Sequence, residues 1–354
     1  MSKARKLRSR KAGLAPGTLV HIGEIKTAAP SFSVIDFDEH GLFEAQLPDA
    51  SGFASQPRKF TTRWANVYGV NNPSDLAEIG RIFGLHPLVQ EDILNNNQRQ
   101  KIDSYDDYLY LVLHRYELKS GPLDLNQDQI SLIIGRDYLL SFQERQSKTF
   151  EPVRQRLRAE HTALRKGGAD MLAYSLIDSV VDNYFGVIEQ LNEHAESLED
   201  AILSRPSPAT LEGIHQFKRC VSQLRRNLNP LRELLGNLQR DAGDFFRSEI
   251  QLYLRDVYDH TVHILESLED LRELATSLLD VYLSTVSHRV NLEVRALTVV
   301  ATIFMPATLI AGIFGMNFHH MPWLAEPAGY LYALGLMGLI GIVMLALFWR
   351  RKSV

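Results

Sequence analysis

Two long uncharged stretches near the C-terminus dominate the hydropathy pattern of the chain. Residues 296–314 and 329–349 are mostly apolar and hold no charged side chain, and the short loop 315–328 separates them. Each stretch has about the 20 residues that a helix needs to cross the hydrocarbon core of a bilayer. Both are therefore predicted to span a membrane, and the short connection makes them antiparallel neighbours.

The charges around these stretches predict their orientation. A basic tail, 350–354, follows the second stretch, Arg289 and Arg295 precede the first, and the loop holds no Lys or Arg. The positive-inside rule then places both termini in the cytosol and the loop outside. Two helices cannot enclose a pore alone, so a transport role requires several copies of the chain around a symmetry axis.

Before residue 150, short β-rich runs alternate with turn residues. Runs such as 18–22, 31–37 and 138–142, together with two short helices that begin at Pro73 and Pro87, predict an α/β domain. Its predicted boundaries are residues 18 and 168. The preceding segment, 1–17, is rich in Lys and Arg and has no apolar stretch behind it, so we expect a solvated, disordered arm.

After residue 150 the apolar positions recur with the 3.6-residue period of helices. This period predicts a helical hairpin over 169–247 and one long helix over 248–314. The long helix meets no Gly or Pro before Pro306, so it is expected to continue from the cytosol into the first membrane span.

One face of this long helix changes character along its length. The cytosolic part of this face carries polar residues, its middle carries bulky apolar residues, and its far end carries small residues. Around a symmetry axis such a row would form a wet vestibule, a hydrophobic constriction and a narrow mouth. The same spacing also suits a packing seam between helices, and periodicity alone leaves both interpretations open. The residues assigned to the pore and gate are Asp280, Asn291, Val294, Leu297, Met305, Thr308 and Gly312.

Composition excludes several other functions. A net charge of −4 gives no argument for nucleic-acid binding, and a single cysteine excludes a Cys-based zinc site and an intramolecular disulfide. The sequence has no phosphate-binding loop and no nucleophile elbow, so an enzyme is not expected. His215, His260 and His288 are not assigned as metal ligands, for want of a ligand-type partner one helical turn away.

The end of the first span resembles a known signature. The run 302–318, which contains Gly315-Met316-Asn317, is similar to the motif of the CorA family of magnesium transporters, and upstream segments match the family in order. The resemblance implies an α+β fold with an N-terminal cytosolic α/β domain, a long-helix stalk and two C-terminal transmembrane helices. It also implies a funnel-shaped homopentamer in the plasma membrane or bacterial inner membrane that passes Mg²⁺ and Co²⁺ down their gradients.

Within this resemblance, Gly315, Met316 and Asn317 form the selectivity filter. Mg²⁺ sheds water reluctantly and prefers oxygen ligands, so amide and carbonyl oxygens suit a largely hydrated ion. Many family members carry acidic residues in the following loop, where this chain has His319 and Trp323. Imidazoles at 319 and 320 could favour Co²⁺, Ni²⁺ or Zn²⁺, or they could be interfacial side chains at the headgroup level.

The resemblance also assigns a regulatory Mg²⁺ site between neighbouring subunits. It maps to Asp92 on the short helix and Asp256 on the long helix, with Glu91 and Asp178 nearby. Paired carboxylates repel when the site is empty and are bridged when the ion binds. Two alternatives remain open at this point: a Zn²⁺, Co²⁺ or Ni²⁺ transporter on the same fold, and a membrane-anchored scaffold whose hairpin only tethers the α/β domain.

Overall fold

The chain divides into two units, which are described separately. The first contains Met1–Glu199 and Glu212–Thr276, and the second contains Asp200–Leu211 and Ser277–Val354. The computed structural model describes residues 13, 15–27, 29–69, 71–118, 123–241, 243, 245–316, 323 and 326–350. Most of the predicted basic arm therefore lies outside the described residues.

The described part of the first unit contains one sheet of seven strands. Their order is β2-β1-β3-β7-β6-β5-β4, and every neighbouring pair is antiparallel except β3–β7. Two antiparallel halves are thus joined by one parallel pair. The strands are β1 (Ser31–Phe37), β2 (Leu42–Leu47), β3 (Thr62–Tyr68), β4 (Lys101–Ser104), β5 (Leu109–Leu118), β6 (Leu125–Ile134) and β7 (Tyr138–Gln143).

The predicted β-rich run 18–22 forms no strand. Only Ile22 makes an isolated bridge, to Asn95. Its amide donates to the Leu94 carbonyl at 2.9 Å, so this segment runs beside the end of a short helix and stays outside the sheet.

Short helices cover one face of the sheet and supply the first candidate residues. Buried side chains of α2 and α3 join strand residues in one apolar cluster, and in α3 these are Val89 and Ile93. Glu91 and Asp92, on the other side of α3, remain partly exposed. The short helices are α1 (Gly52–Ser55), α2 (Pro73–Phe83), α3 (Pro87–Ile93), α4 (Glu151–Arg158) and α5 (Ala163–Lys166).

The start of α3 is fixed by local chemistry. Pro87 occupies the first helical position, where its missing N–H costs no hydrogen bond. The Nδ1 atom of His86 accepts a hydrogen bond from the Leu88 amide at 3.2 Å and so caps the helix. These two residues set where the carboxylates of α3 are placed.

Long helices make up the rest of the first unit. α6 (Gly168–Ser204) and α7 (Pro208–Asp241) are followed by α8 (Ser248–Phe314). The rings of Tyr174 and Tyr253 lie 5.2 Å apart and join α6 to α8. Arg225 forms an ion pair of 2.9 Å with Glu269 and joins α7 to α8. The carboxylates on facing sides of α6 and α8 are therefore held close together.

Among the described residues of the second unit, two helices are long and apolar enough to cross a membrane. They are the C-terminal part of α8 and α9 (Gly329–Arg350). Many of their apolar side chains are exposed, among them Leu297 and Met305. With the α/β domain, one long helix and two C-terminal apolar helices, the predicted fold class is confirmed.

Candidate ion pathway and carboxylate sites

The predicted pore residues all lie on α8 within the second unit. All seven are exposed, and Leu297 and Met305 each have 70% of their surface accessible. Exposed apolar side chains at membrane depth require a cover of lipid or of protein. An exposed row satisfies both the pore and the seam interpretation, so the choice between them rests on the other observations.

Hydroxyl groups along this part of α8 bond to the helix itself. Thr298 and Thr302 donate to carbonyls one turn earlier at 2.8 and 2.7 Å, and Thr308 donates to the Met305 carbonyl at 2.9 Å. Their protons are thus satisfied without water, as the bilayer interior demands. The oxygen lone pairs of Thr308 stay available to water or an ion.

The C-terminal end of α8 is closed by a turn and an aromatic contact. Gly315 donates to the Ala311 carbonyl at 2.9 Å, and Met316 donates to the Ile313 carbonyl at 3.2 Å. Trp323 stacks on Phe314 with ring centroids 6.1 Å apart. This contact holds Trp323, within the loop, against the end of α8. Asn317, His319 and His320 lie outside the described residues.

Asp92 is held by its own neighbours within the chain. Its Oδ2 atom lies 2.8 Å from the Lys101 ammonium, and its Oδ1 atom accepts a hydrogen bond of 3.0 Å from Gln98. The adjacent Glu91 accepts a hydrogen bond of 2.5 Å from the Gly17 amide. The carboxylates of α3 are thus anchored and only partly exposed.

A second group of ligand atoms lies between α6 and α8. Oxygen atoms of Asp178 and Asp182 and a ring nitrogen of His260 all lie within 4.8 Å of one another. Asp256 approaches this His260 ring at 3.8 Å and is 62% exposed. Carboxylate oxygens and an imidazole at this separation could hold a divalent cation.

Burial and like charge dominate the electrostatics of this group. Burial, followed by the neighbouring Asp182, raises the pKa of Asp178 from 3.8 to about 6, against the opposing charges of Arg156 and His260. Among the described residues, the buried Nδ1 atom of His260 has no hydrogen-bond partner. A bound cation would relieve the repulsion between the carboxylates.

The structure brings together two of the four predicted sensor residues. Asp178 and Asp256 share one electrostatic environment. Asp92 instead contacts Lys101 and Gln98, and Glu91 accepts a hydrogen bond from Gly17. Asp182 and His260 were not among the predicted residues. The statement that His260 has no ligand-type partner one helical turn away was wrong, because Asp256 precedes it by one turn. The sequence signal that could have revealed both residues is the spacing of possible ligands by one helical turn, as in Asp178–Asp182 and Asp256–His260.

Comparison with known proteins gives concordant matches. Residues 61–352 match the family model described as CorA-like Mg²⁺ transporter protein. The chain is 40% identical over 344 residues to the cobalt/magnesium transport protein CorA of Thermotoga maritima, covering 97% of this chain and 98% of that one. It is 30% identical to the putative metal ion transporter YfjQ of Bacillus subtilis, covering 80% and 88% of the two chains.

Two solved structures share the fold. The complete CorA magnesium transporter from Methanocaldococcus jannaschii superposes with a TM-score of 0.76 at 19% identity, covering 93% of this chain and 99% of that one. The full-length CmaX protein superposes with a TM-score of 0.71 at 18% identity, covering 93% and 100%. Both matches extend over the α/β domain and the helices that follow it.

Proposed function

Since this chain belongs to the family of CorA-like Mg²⁺ transporter proteins, we propose that it is a channel for Mg²⁺ and Co²⁺ that admits them into the cell. An inside-negative potential contributes about 2.3 kcal/mol per charge per 100 mV, which doubles for a dication. The potential alone can therefore drive influx. The channel is a homopentamer in the plasma membrane or bacterial inner membrane, with both termini in the cytosol.

The selective part of the pathway is the outer turn after α8. The Asn317 side chains and Gly315 carbonyls of five copies face the hydrated ion through amide and carbonyl oxygens, and Met316 completes the turn. This assignment is supported by the helix end at Gly315 and by the aromatic contact that holds the loop. The oxygens would bind the ion's water shell, which Mg²⁺ gives up reluctantly.

The gate is the exposed apolar part of the row on α8. Val294, Leu297 and Met305 from five copies narrow the passage, which closes by dewetting. Polar Asn291 and Asp280 lie on its cytosolic side, and Thr308 and Gly312 lie toward the mouth. The change along this row from polar to bulky apolar to small residues supports the assignment, because five copies would place each kind of residue in one ring around a shared axis.

Cytosolic Mg²⁺ regulates the channel through carboxylates of adjacent subunits. Asp92 and Glu91 on α3 of one copy face Asp256 and Asp178 of the next, and the bound ion favours the closed packing. The proximity of ligand atoms of Asp178, Asp182 and His260, all within 4.8 Å of one another, supports a cation site beside Asp256.

The observation that carries the proposal is the 40% identity to the cobalt/magnesium transport protein of T. maritima over 97% of the chain, which includes both spans. The test is Mg²⁺ uptake into vesicles containing the purified protein, with an inside-negative potential and an indicator dye. Asn317→Ala should abolish uptake, whereas Asn229→Ala, at an exposed position of α7, should not.

Other outcomes of the same assay would replace the proposal. Unchanged uptake by Asn317→Ala would remove the filter assignment. Zn²⁺ uptake that exceeds Mg²⁺ uptake and depends on a proton gradient would favour the zinc transporter. No uptake of any divalent cation by the unmodified protein would favour the membrane-anchored scaffold.

A further inference from the structure

Lys101, on strand β4, lies between two carboxylates. Its ammonium is 2.8 Å from the Oδ2 atom of Asp92 and also forms an ion pair with Asp103. It lies 5.6 Å from the centroid of the Tyr110 ring, which supports it from the next strand. The Lys101 side chain is 30% exposed and that of Asp92 is 20% exposed, so their pairing is less screened than one on the open surface.

The alternation of side chains along β4 explains this arrangement. Lys101 and Asp103 are two residues apart and therefore point to the same face of the strand. The pairing of β4 with β5 sets Lys101 opposite Val112 and Asp103 opposite Tyr110. Asp103 is thus placed beside the ammonium by the regular strand, and Asp92 reaches the same ammonium from α3.

Each carboxylate oxygen of Asp92 already has one donor from its own chain, so a water of hydrated Mg²⁺ would have to share an oxygen with that donor. Gln98 donates to Oδ1 at 3.0 Å, and Lys101 occupies Oδ2. A hydrated Mg²⁺ that approaches Asp92 needs at least one of these oxygens for its bound water. The Lys101 ammonium would then face a dication of like charge across a few ångströms, which is strongly unfavourable.

We propose that Lys101 is a tethered competitor of the regulatory cation, shared between Asp92 and Asp103 when the site is empty and shifted wholly onto Asp103 when the ion binds. This inference rests on the proposed sensor role of Asp92. A lysine suits the task, because its flexible four-carbon stem carries a single point charge with three rotatable donors. Asp103 receives the displaced charge, so the ammonium is never left unpaired.

The competitor sets the Mg²⁺ concentration at which the site fills. Without the ammonium, Mg²⁺ has no rival for Asp92, so the half-saturating concentration falls. Without the Asp103 carboxylate, Lys101 has only Asp92 as a partner, so the half-saturating concentration rises. Couplings between neighbouring sites change affinities by about 5- to 150-fold, and we expect a change of about tenfold in each direction.

The test is a Mg²⁺ titration of the full-length protein in detergent, read out as protection from limited proteolysis and repeated as closure of ion flux in vesicles. Lys101→Gln should lower the midpoint about tenfold, Lys101→Arg should stay close to the unmodified protein, and Asp103→Asn should raise the midpoint. Arg99→Gln and Asp106→Asn are matched controls, because each makes the same charge change within a few residues at an exposed position.

Two results would overturn the proposal. In one, Lys101→Gln shifts the midpoint no more than Arg99→Gln does, so that only net charge matters. In the other, Asp103→Asn shifts it no more than Asp106→Asn does. If Mg²⁺ gives the unmodified protein no protection, the proposed sensor itself fails. Size-exclusion profiles identify a misfolded variant. The Mg²⁺ midpoint is expected to shift in opposite directions for variants at positions 101 and 103, which gives two independent tests.

Discussion

Replacing Asp178 by Asn should stabilise the Mg²⁺-free protein at neutral pH. Asp178 lies on α6 beside Asp182 and close to Asp256. Burial, followed by the negative charge of Asp182, raises the pKa of Asp178 to about 6. A carboxyl group whose pKa is higher in the folded state than in the unfolded state lowers stability as pH rises between the two values. The amide has no such charge and removes this cost.

The size of the effect follows from the two pKa values. The difference between 3.8 and about 6, at 1.36 kcal/mol per pKa unit, corresponds to about 3 kcal/mol. Asp178 is partly exposed, and solvent screening reduces this to about 1 kcal/mol. For a unit of this size, about 1 kcal/mol raises the melting temperature by about 2–4 °C.

The measurement is thermal unfolding of the full-length protein in detergent with a chelator, followed by circular dichroism between pH 4.5 and 8. Asp178→Asn should unfold at a higher temperature than the unmodified protein at pH 7.5, and the gap should narrow as pH falls toward 4.5. Glu189→Gln, at an exposed position farther along α6, controls for the loss of one negative charge. A gap that is absent at pH 7.5, or equally large at pH 4.5, would refute the reasoning.

Three further outcomes are expected. Met305→Asn should hydrate the proposed constriction, so ion flux should persist at Mg²⁺ concentrations that close the unmodified channel. Met305→Leu should close at the same concentrations as the unmodified channel. Equal closure by both variants would argue against the gate. Asp256→Lys should blunt the protection that Mg²⁺ gives against proteolysis, and an unaltered digestion pattern would count against the sensor. Metal binding needs a charged carboxylate, and the pKa of Asp178 is raised to about 6. The Mg²⁺ concentration that gives half-maximal protection from proteolysis should therefore rise as pH falls below about 6. A midpoint independent of pH would exclude Asp178 as a ligand.

The membrane spans and the long helix were predictable from sequence because their signals are local. Hydropathy over 20 residues and the 3.6-residue period mark α8 and α9 without reference to any distant residue. The motif at Gly315 then indicated the family. Each of these signals is contained within a single element of the chain.

The strand order and the carboxylate contacts could not be predicted in this way. The pairing of β3 with β7 joins Arg63 to Tyr138, and no periodic pattern specifies so distant a partner. The contact of Lys101 with Asp92 likewise depends on how α3 crosses the sheet. The approach of Asp178 to His260 depends on the packing of α6 against α8, which helical period alone does not determine.

The parallel pair of β3 and β7 also bears on the order of events during biogenesis. Each antiparallel half of the sheet can form from nearby segments, but closing the seam between them brings distant residues together, which is slow. Within the seam, the indole of Trp64 donates to Ser141 at 2.8 Å in the buried interior. Helix α3 belongs to a buried cluster with residues of both halves, so Asp92 reaches its position only when the seam has closed. A newly made chain therefore completes its sheet before it can offer the surface proposed to contact neighbouring copies.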